Sequence, residues 1–375
     1  MSIKNIGLPL LTCCVILICS CGCVSFPDLS GSPSYPSIIP EESSADDSLH
    51  TFTFPFSGKN TTVTIPVDVD LYNGAKAADK NAYLRPGTPD EEWVPDYYRA
   101  FVTDPAHDTL FNEVLISLKN ARPDITPGTD EYADYITAFV QNIRYMITGG
   151  LGDPKFPVET IADEEGDCDD KSILLAGLLS REGYNVSLFY LEENNHMAVG
   201  ISGPACAYHE TRCGYLEATR PRYIGTSPGD YPEDDPINEV PLVIHIGDGT
   251  QEYGACPETT TILKSLRSSY ETAKKLEPVI KQKGERLAQQ KGEIDDLANL
   301  LLQYSESGEI RSYNQLVPEY NRLVDQYNQD LAEHQTIFAR YETAVNLYNL
   351  ILESAPDSTY ACTQSGICTA TDPSF

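Results

Sequence analysis

Apolar and polar residues alternate on both sides of a Ser-Gly-Lys-Asn turn in "HTFTFPFSGKNTTVTIPVDVDLY", the two-residue period of a half-buried β-hairpin. The period then lengthens. In "DEYADYITAFVQNIRYMI", Tyr132, Ile136, Phe139, Val140, Ile143 and Met146 recur at three- and four-residue spacings, which predicts one amphipathic helix running to the end of that stretch. The run "EEGDCDDKSILLAGLLSREGYNVSLFY" predicts another helix from about Cys168 to Arg181, stopped by Gly183. Four strand-length runs follow: "YNVSLFYL", "HMAVGI", "GYLEAT" and "VPLVIHI". A helix followed by strands that can pair antiparallel gives an α+β core.

From about Ile262 the pattern becomes a seven-residue repeat through Leu266, Ala273, Ile280, Leu287, Ile294 and Leu301. After "SESGEIRS" a second arm carries the repeat on Tyr313, Tyr320, Tyr327, His334, Tyr341 and Tyr348, each with an apolar residue four positions later. Two such arms joined by a short polar turn predict a long antiparallel coiled-coil helical hairpin. Each arm spans roughly forty residues, on the order of 60 Å at helical rise. His334, inside the aromatic stripe, reads as a packing residue, and Pro278 and Pro318 predict a kink or a late start in each arm.

These patterns divide the 375 residues into a leader (1–23), a Ser/Pro-rich disordered tether (24–47) and a hairpin region (48–84). The core domain (85–250), the coiled-coil hairpin (258–355) and a cysteine-containing tail (356–375) follow. The leader "MSIKNIGLPLLTCCVILICSCGCVS" places a lysine before an apolar stretch that is short for a spanning helix, so it reads as an export signal. Its "ICSC" and "CGCVS" endings resemble a lipobox, with Cys23, or else Cys21, as the lipidated residue. The competing reading is an uncleaved anchor helix. Either way the bulk is expected to be exported and anchored to the outer face of the cytoplasmic membrane. Asn60 begins an "NTT" glycosylation sequon on the hairpin turn.

A formal net charge of -30 argues against nucleic acid as a partner, because phosphates would be repelled. Beyond the leader lie Cys168, Cys206, Cys213, Cys256, Cys362 and Cys368, in a setting where disulfides persist. The loop "CAYHETRC" predicts a Cys206–Cys213 bridge between two neighbouring strands. The loop "CTQSGIC" predicts a local Cys362–Cys368 bridge, favoured slightly over a clamp from Cys256 to either, with all three sulfurs together at the base of the hairpin.

Candidate chemistry centres on Cys168 at a helix start, His196 in "NNHMAVGI" and Glu217 in "GYLEATRP". A nucleophilic thiol needs a base within reach, and the imidazole needs an acceptor on its other nitrogen. The helix dipole and a protonated His196 favour a thiolate, whereas Asp167, Asp169 and Asp170 oppose one unless they serve as helix caps. Gln141 and Tyr145, expected on the preceding helix, are candidate oxyanion donors. No cofactor is implied, and hard carboxylates beside a soft thiolate make a poor donor set for any one metal ion.

The stretches "GDCDDKSILLAGLLSREGYNV", "HMAVGI" and "YLEATRP" together resemble the transglutaminase-like cysteine superfamily, particularly its exported archaeal lipoprotein members, over about 90–246. The resemblance implies a papain-like α+β core with a Cys-His-Asp triad, the cysteine on a helix and the other two residues on adjacent strands. Cys168 and His196 match it, and Glu217 stands where the family commonly has the aspartate of "LDPT". Two functions compete: thiol acyl transfer on a protein or peptide substrate, with amide hydrolysis the first choice, and an inert surface module whose coiled coil recruits a protein partner.

Overall fold

In the computed structural model, residues 32–42, 46–146 and 153–368 are described, so the export and lipidation expectations at Cys21 and Cys23 lie outside the described residues. The alternating run forms β1 (Ser48–Phe56) and β2 (Lys59–Val67), paired antiparallel across Ser57 and Gly58, both at positive φ. Its buried face carries Phe54, Phe56, Val63 and Ile65. This face lies on α4 (Asp130–Gln141), with the Phe56 and Tyr135 ring centroids 5.1 Å apart. Around it pack α1 (Val69–Ala77), α2 (Asp90–Thr103), α3 (Asp108–Ala121) and α5 (Pro157–Ala162).

The central helix is α6 (Cys168–Arg181), which ends where expected, with Gly183 at φ 91°. α3 approaches it closely enough that a Cβ on Gly177 would come within 2.3 Å of the Phe111 ring. α6 lies on one face of a four-stranded antiparallel sheet of β5 (Val186–Leu191), β6 (His196–Ser202), β7 (Cys213–Leu216) and β8 (Leu242–Ile246). The strand order is β7-β6-β5-β8. β5 is interior and covered on both faces, which explains why "VSLFYL" reads as an apolar run. The far face holds a smaller cluster of Phe189, Leu191, Ala198, Tyr208, Cys213 and Tyr215.

Three expectations need correction. The helix expected to reach Met146 stops at Gln141, and Arg144–Tyr145 instead form a short strand, β3, parallel to β4 (Glu165–Gly166). The cause is long-range: the buried ammonium of Lys171 on α6 takes the Gln141 and Ile143 carbonyls at 3.1 and 2.8 Å. Residues 32–42, expected as part of a disordered tether, pack on the core, because Ile38 is buried and its N–H donates to Asp104 at 2.8 Å.

The third correction concerns Cys206, which bridges to Cys256 and not to Cys213. Strand alternation decides this. Cys213 shares the Tyr215 face of β7, whereas the Cys206 sulfur lies against the backbone of Gly214, where a Cβ would stand 2.7 Å away. Cβ atoms on Gly203 and Gly225 would also crowd the bridge, at 2.9 and 2.7 Å from its sulfurs. Cys362 and Cys368 form the local bridge, and Cys168 and Cys213 are free.

Beyond the core, α7 (Cys256–Ser307, 52 residues) and α8 (Ile310–Ser354, 45 residues) fold back on each other across Gly308 in the left-handed conformation. Lys283–Glu333 and Arg286–Asp330 ion pairs at 3.0 and 3.1 Å, and the Tyr270–Tyr348 ring contact, fix an antiparallel register. Pro278 and Pro318 lie within the helices without ending them. His334 stacks with Phe338, 6.2 Å between centroids. At the base α9 (Ser358–Ser365) joins Ile262, Leu266, Ile351 and Tyr223 in a separate apolar cluster. No helix among the described residues is long and apolar enough to cross a membrane.

Candidate active site

Cys168 is the first residue of α6, partly exposed, and Asp167 is the N-cap. The Asp167 side chain accepts from the Asp170 N–H, while the Asp170 carboxylate accepts from the Asp167 N–H at 3.2 Å. The acids around the thiol are thus a reciprocal cap. Asp170 is further fixed by the Lys155 N–H at 2.6 Å. The carboxylate oxygens of Asp167, Asp169 and Asp170 lie within 4.8 Å of one another, the group among the described residues spaced to hold a cation. Burial, followed by the neighbouring acids, pushes Asp169 well above the ordinary carboxylate range, and burial pushes Asp170 up to about 6. The upward shift of Asp169 weakens one of the negative charges that would oppose a thiolate.

β-Strand alternation brings the second and third candidates together. His196 begins β6, and Tyr215 and Glu217 lie two apart at the end of antiparallel β7, so their side chains project from one face. The His196 Nε2 is 3.2 Å from Glu217 Oε2 and 3.1 Å from the Tyr215 hydroxyl. The carboxylate is held from behind: Glu217 Oε1 accepts from the Thr219 N–H at 2.8 Å and from its hydroxyl at 2.6 Å. Burial opposes charge on both partners, yet the imidazole is pushed up to about 10 by hydrogen bonding and charge from Cys168 and Glu217. Glu217 is drawn down to about 2 by His196 and Thr219. The pair is an imidazolium and a carboxylate at neutral pH. Cys168 is close enough to the ring to raise its pKa, and the contacts to Glu217 and Tyr215 both fall on Nε2.

Of the two candidate oxyanion donors the structure removes one. The Gln141 amide donates to the Glu217 and Arg222 carbonyls at 2.8 and 2.9 Å, and its oxygen accepts from the Arg222 N–H at 3.3 Å. It is a clamp on the strand end, with no donor left over. Tyr145 is 44% exposed and lines the site cavity, and its hydroxyl has no hydrogen-bond partner among the described residues.

Sequence reading missed three contributors. Tyr215 was signalled by its spacing of two from Glu217 on a strand. Lys171 is fully buried and donates to the carbonyls of Gln141, Ile143 and Thr219, tying α4, α6 and the Glu217 loop at one point. A lysine one turn into an amphipathic helix gives no such signal. The wall is completed by Arg222, whose guanidinium grips Asp234 at 2.9 to 3.2 Å.

The cavity beside His196 and Glu217 holds about 480 Å³. A larger hollow of about 940 Å³ lies between α7 and α8 and is lined by none of Cys168, His196 and Glu217, whereas His196 and Glu217 line the smaller one. Against protein-family models, curated proteins and solved structures the chain gives no match.

Proposed function

We propose that this chain is a transglutaminase-like thiol acyl-transfer enzyme acting on a protein or peptide amide, with hydrolysis as its outcome. The observation that carries the reading is the imidazole of His196, hydrogen-bonded to Glu217 at 3.2 Å through one nitrogen, beside a partly exposed cysteine at a helix start. The Cys168 sulfur attacks the amide carbonyl carbon, and the developing oxyanion faces the Cys168 N–H at the start of α6 and the Tyr145 hydroxyl. The His196 imidazolium gives its proton to the departing amine as the C–N bond breaks, leaving a thioester. Water then loses a proton to His196 and attacks the thioester, releasing the carboxylic acid and the Cys168 thiolate beside the restored imidazolium. Glu217 holds the imidazole in register and balances its charge throughout.

The same reading places the chain outside the cytoplasm, where its two bridges would persist, and on a membrane through the leader cysteines. The test is the hydrolysis of a fluorogenic peptide-amide library by the exported chain and by Cys168→Ala. Turnover lost in Cys168→Ala supports the mechanism, and equal turnover in both chains excludes it.

A further inference from the structure

Three hollows are neighbours along one side of the molecule. The site cavity and a neighbouring one of about 550 Å³ share Ser227, and that one shares Lys264 and Ser268 with the inter-arm hollow. In succession they mark out a furrow that leads from His196 and Glu217, past Cys206 of the Cys206–Cys256 bridge, onto the rod. Its far stretch stays open because Ser268, Thr272, Ala339 and Thr343 are too small to fill the seam between the arms, where larger residues would interdigitate. The near stretch is rigidly joined to the rod: the Tyr223 hydroxyl donates to the Ile351 carbonyl at 2.6 Å and the Thr259 hydroxyl to the Ile224 carbonyl at 2.9 Å.

The site and middle stretches mix Arg220, Arg222 and Arg267 with Glu217, Asp234, Asp235, Asp230 and Glu271, whereas the inter-arm hollow is lined by cations and, among the described residues, no acid. Acids outnumber Lys and Arg 56 to 26 over the chain, yet Lys264 and Arg340 line the inter-arm hollow with no ion pair among the described residues. Arg267 lines the middle stretch beside Asp230 and Glu271, donating to the Asp230 backbone carbonyl at 3.3 Å and standing 3.8 Å from its carboxylate.

We propose that the furrow binds the acyl-donor substrate as an extended acidic polypeptide segment, which enters between the arms of the rod and reaches Cys168 at the other end; this rests on the acyl-transfer reading of the site. An extended chain fits because small walls admit a backbone with modest side chains, and it advances about 3.3 Å per residue, enough for a short segment to follow the furrow. Cations set in an acidic surface select an acidic segment through favourable pairing and through repulsion of acidic chains everywhere else. The rod then acts as a substrate-recognition arm.

The test uses the full chain and a fluorescein-labelled peptide of about twenty residues built from Glu, Ala, Ser and Gln, with a Lys-for-Glu counterpart, its length set by extended-chain reach. Anisotropy measures binding, and the rate of iodoacetamide alkylation at Cys168 measures access to the site. Two variants at exposed positions probe the furrow far from the thiol: Ala339→Trp, which fills the hollow, and Lys264→Glu with Arg340→Glu, which inverts its charge. The acidic peptide should bind, slow alkylation, and lose about tenfold in affinity in each variant, while alkylation without peptide stays unchanged. Equal affinity in wild type and both variants, tighter binding of the Lys peptide, or no binding of either peptide would overturn the proposal. Failure of the site reading shows separately, as a Cys168 that reacts no faster in the folded chain than in the denatured one, while anisotropy still ranks the furrow variants.

Discussion

His196 Nε2 lies 3.2 Å from Glu217 Oε2, and each partner shifts the other: the imidazole is held charged to about pH 10 and the carboxylate to about pH 2. The raised His196 contributes stability that is complete below its ordinary 6.5 and is lost as pH climbs through about 10. The depressed Glu217 contributes stability present above its ordinary 4.5 and lost as pH falls through about 2. Glu217→Gln removes the charge and keeps the shape. Its expected effect is a fall in turnover of roughly a hundredfold or more, short of the Cys168→Ala loss, with the alkaline limb of the pH–rate profile moved to lower pH. A profile recorded on both proteins checks it, and an unmoved limb would show that the carboxylate does not set the imidazole's charge.

Tyr215 shares the same nitrogen at 3.1 Å and stands 3.4 Å from Glu217 Oε2, so its hydroxyl positions the ring. Tyr215→Phe keeps the packing against Phe189 and Tyr208 and deletes only the hydroxyl. The expected result is unchanged thermal stability to within about 1 kcal/mol and a several-fold drop in kcat with little change in KM. A change confined to KM would assign the tyrosine to substrate contact instead.

Much of this site was legible because alternation along a strand is a local property. His196 and Glu217 stand on strand-length runs that can pair, Tyr215, which was passed over, shares the Glu217 face by counting in twos, and Cys168 is marked as a helix start by the acids around it. What escaped depends on contacts between distant segments. The end of α4 at Gln141 is set by Lys171, thirty residues on, and no feature of "FVQNIRYMI" announces it. The Cys206–Cys213 expectation followed sequence proximity, while the face on which each sulfur projects was decisive. The rod was readable for the opposite reason, since a heptad needs only its own spacing.

The Cys206–Cys256 bridge closes a loop of 50 residues between the site strands and the first turn of α7. Closure of a loop that long restricts the unfolded chain by about 4 kcal/mol. Replacing both cysteines with serine should lower the unfolding midpoint markedly while leaving the Cys362–Cys368 bridge intact. Non-reduced peptide mapping should return Cys206 with Cys256 and leave Cys168 and Cys213 open to alkylation. A Cys206–Cys213 peptide would contradict the fold around Gly214.

Lys171 gives the sharpest separation of structure from chemistry. Burial draws its ammonium down to about 8, and the carbonyls of Gln141, Ile143 and Thr219 take its protons at 2.8 to 3.3 Å. Because the folded value lies below the ordinary 10.5, the lysine's linked contribution is present above that pH and diminishes as pH falls through about 8. Lys171→Met fills similar space but strands three buried carbonyls, at a cost of about 3 kcal/mol or more. The Thr219 backbone that braces Glu217 loses its anchor at the same time. The variant should therefore unfold at lower denaturant and, under conditions where it remains folded, react more slowly at Cys168, with the imidazole's alkaline limb displaced in the direction seen for Glu217→Gln. A variant that is destabilised yet keeps the wild-type pH profile would confine Lys171 to holding α4, α6 and the strand end together, with no influence on the orientation of Glu217.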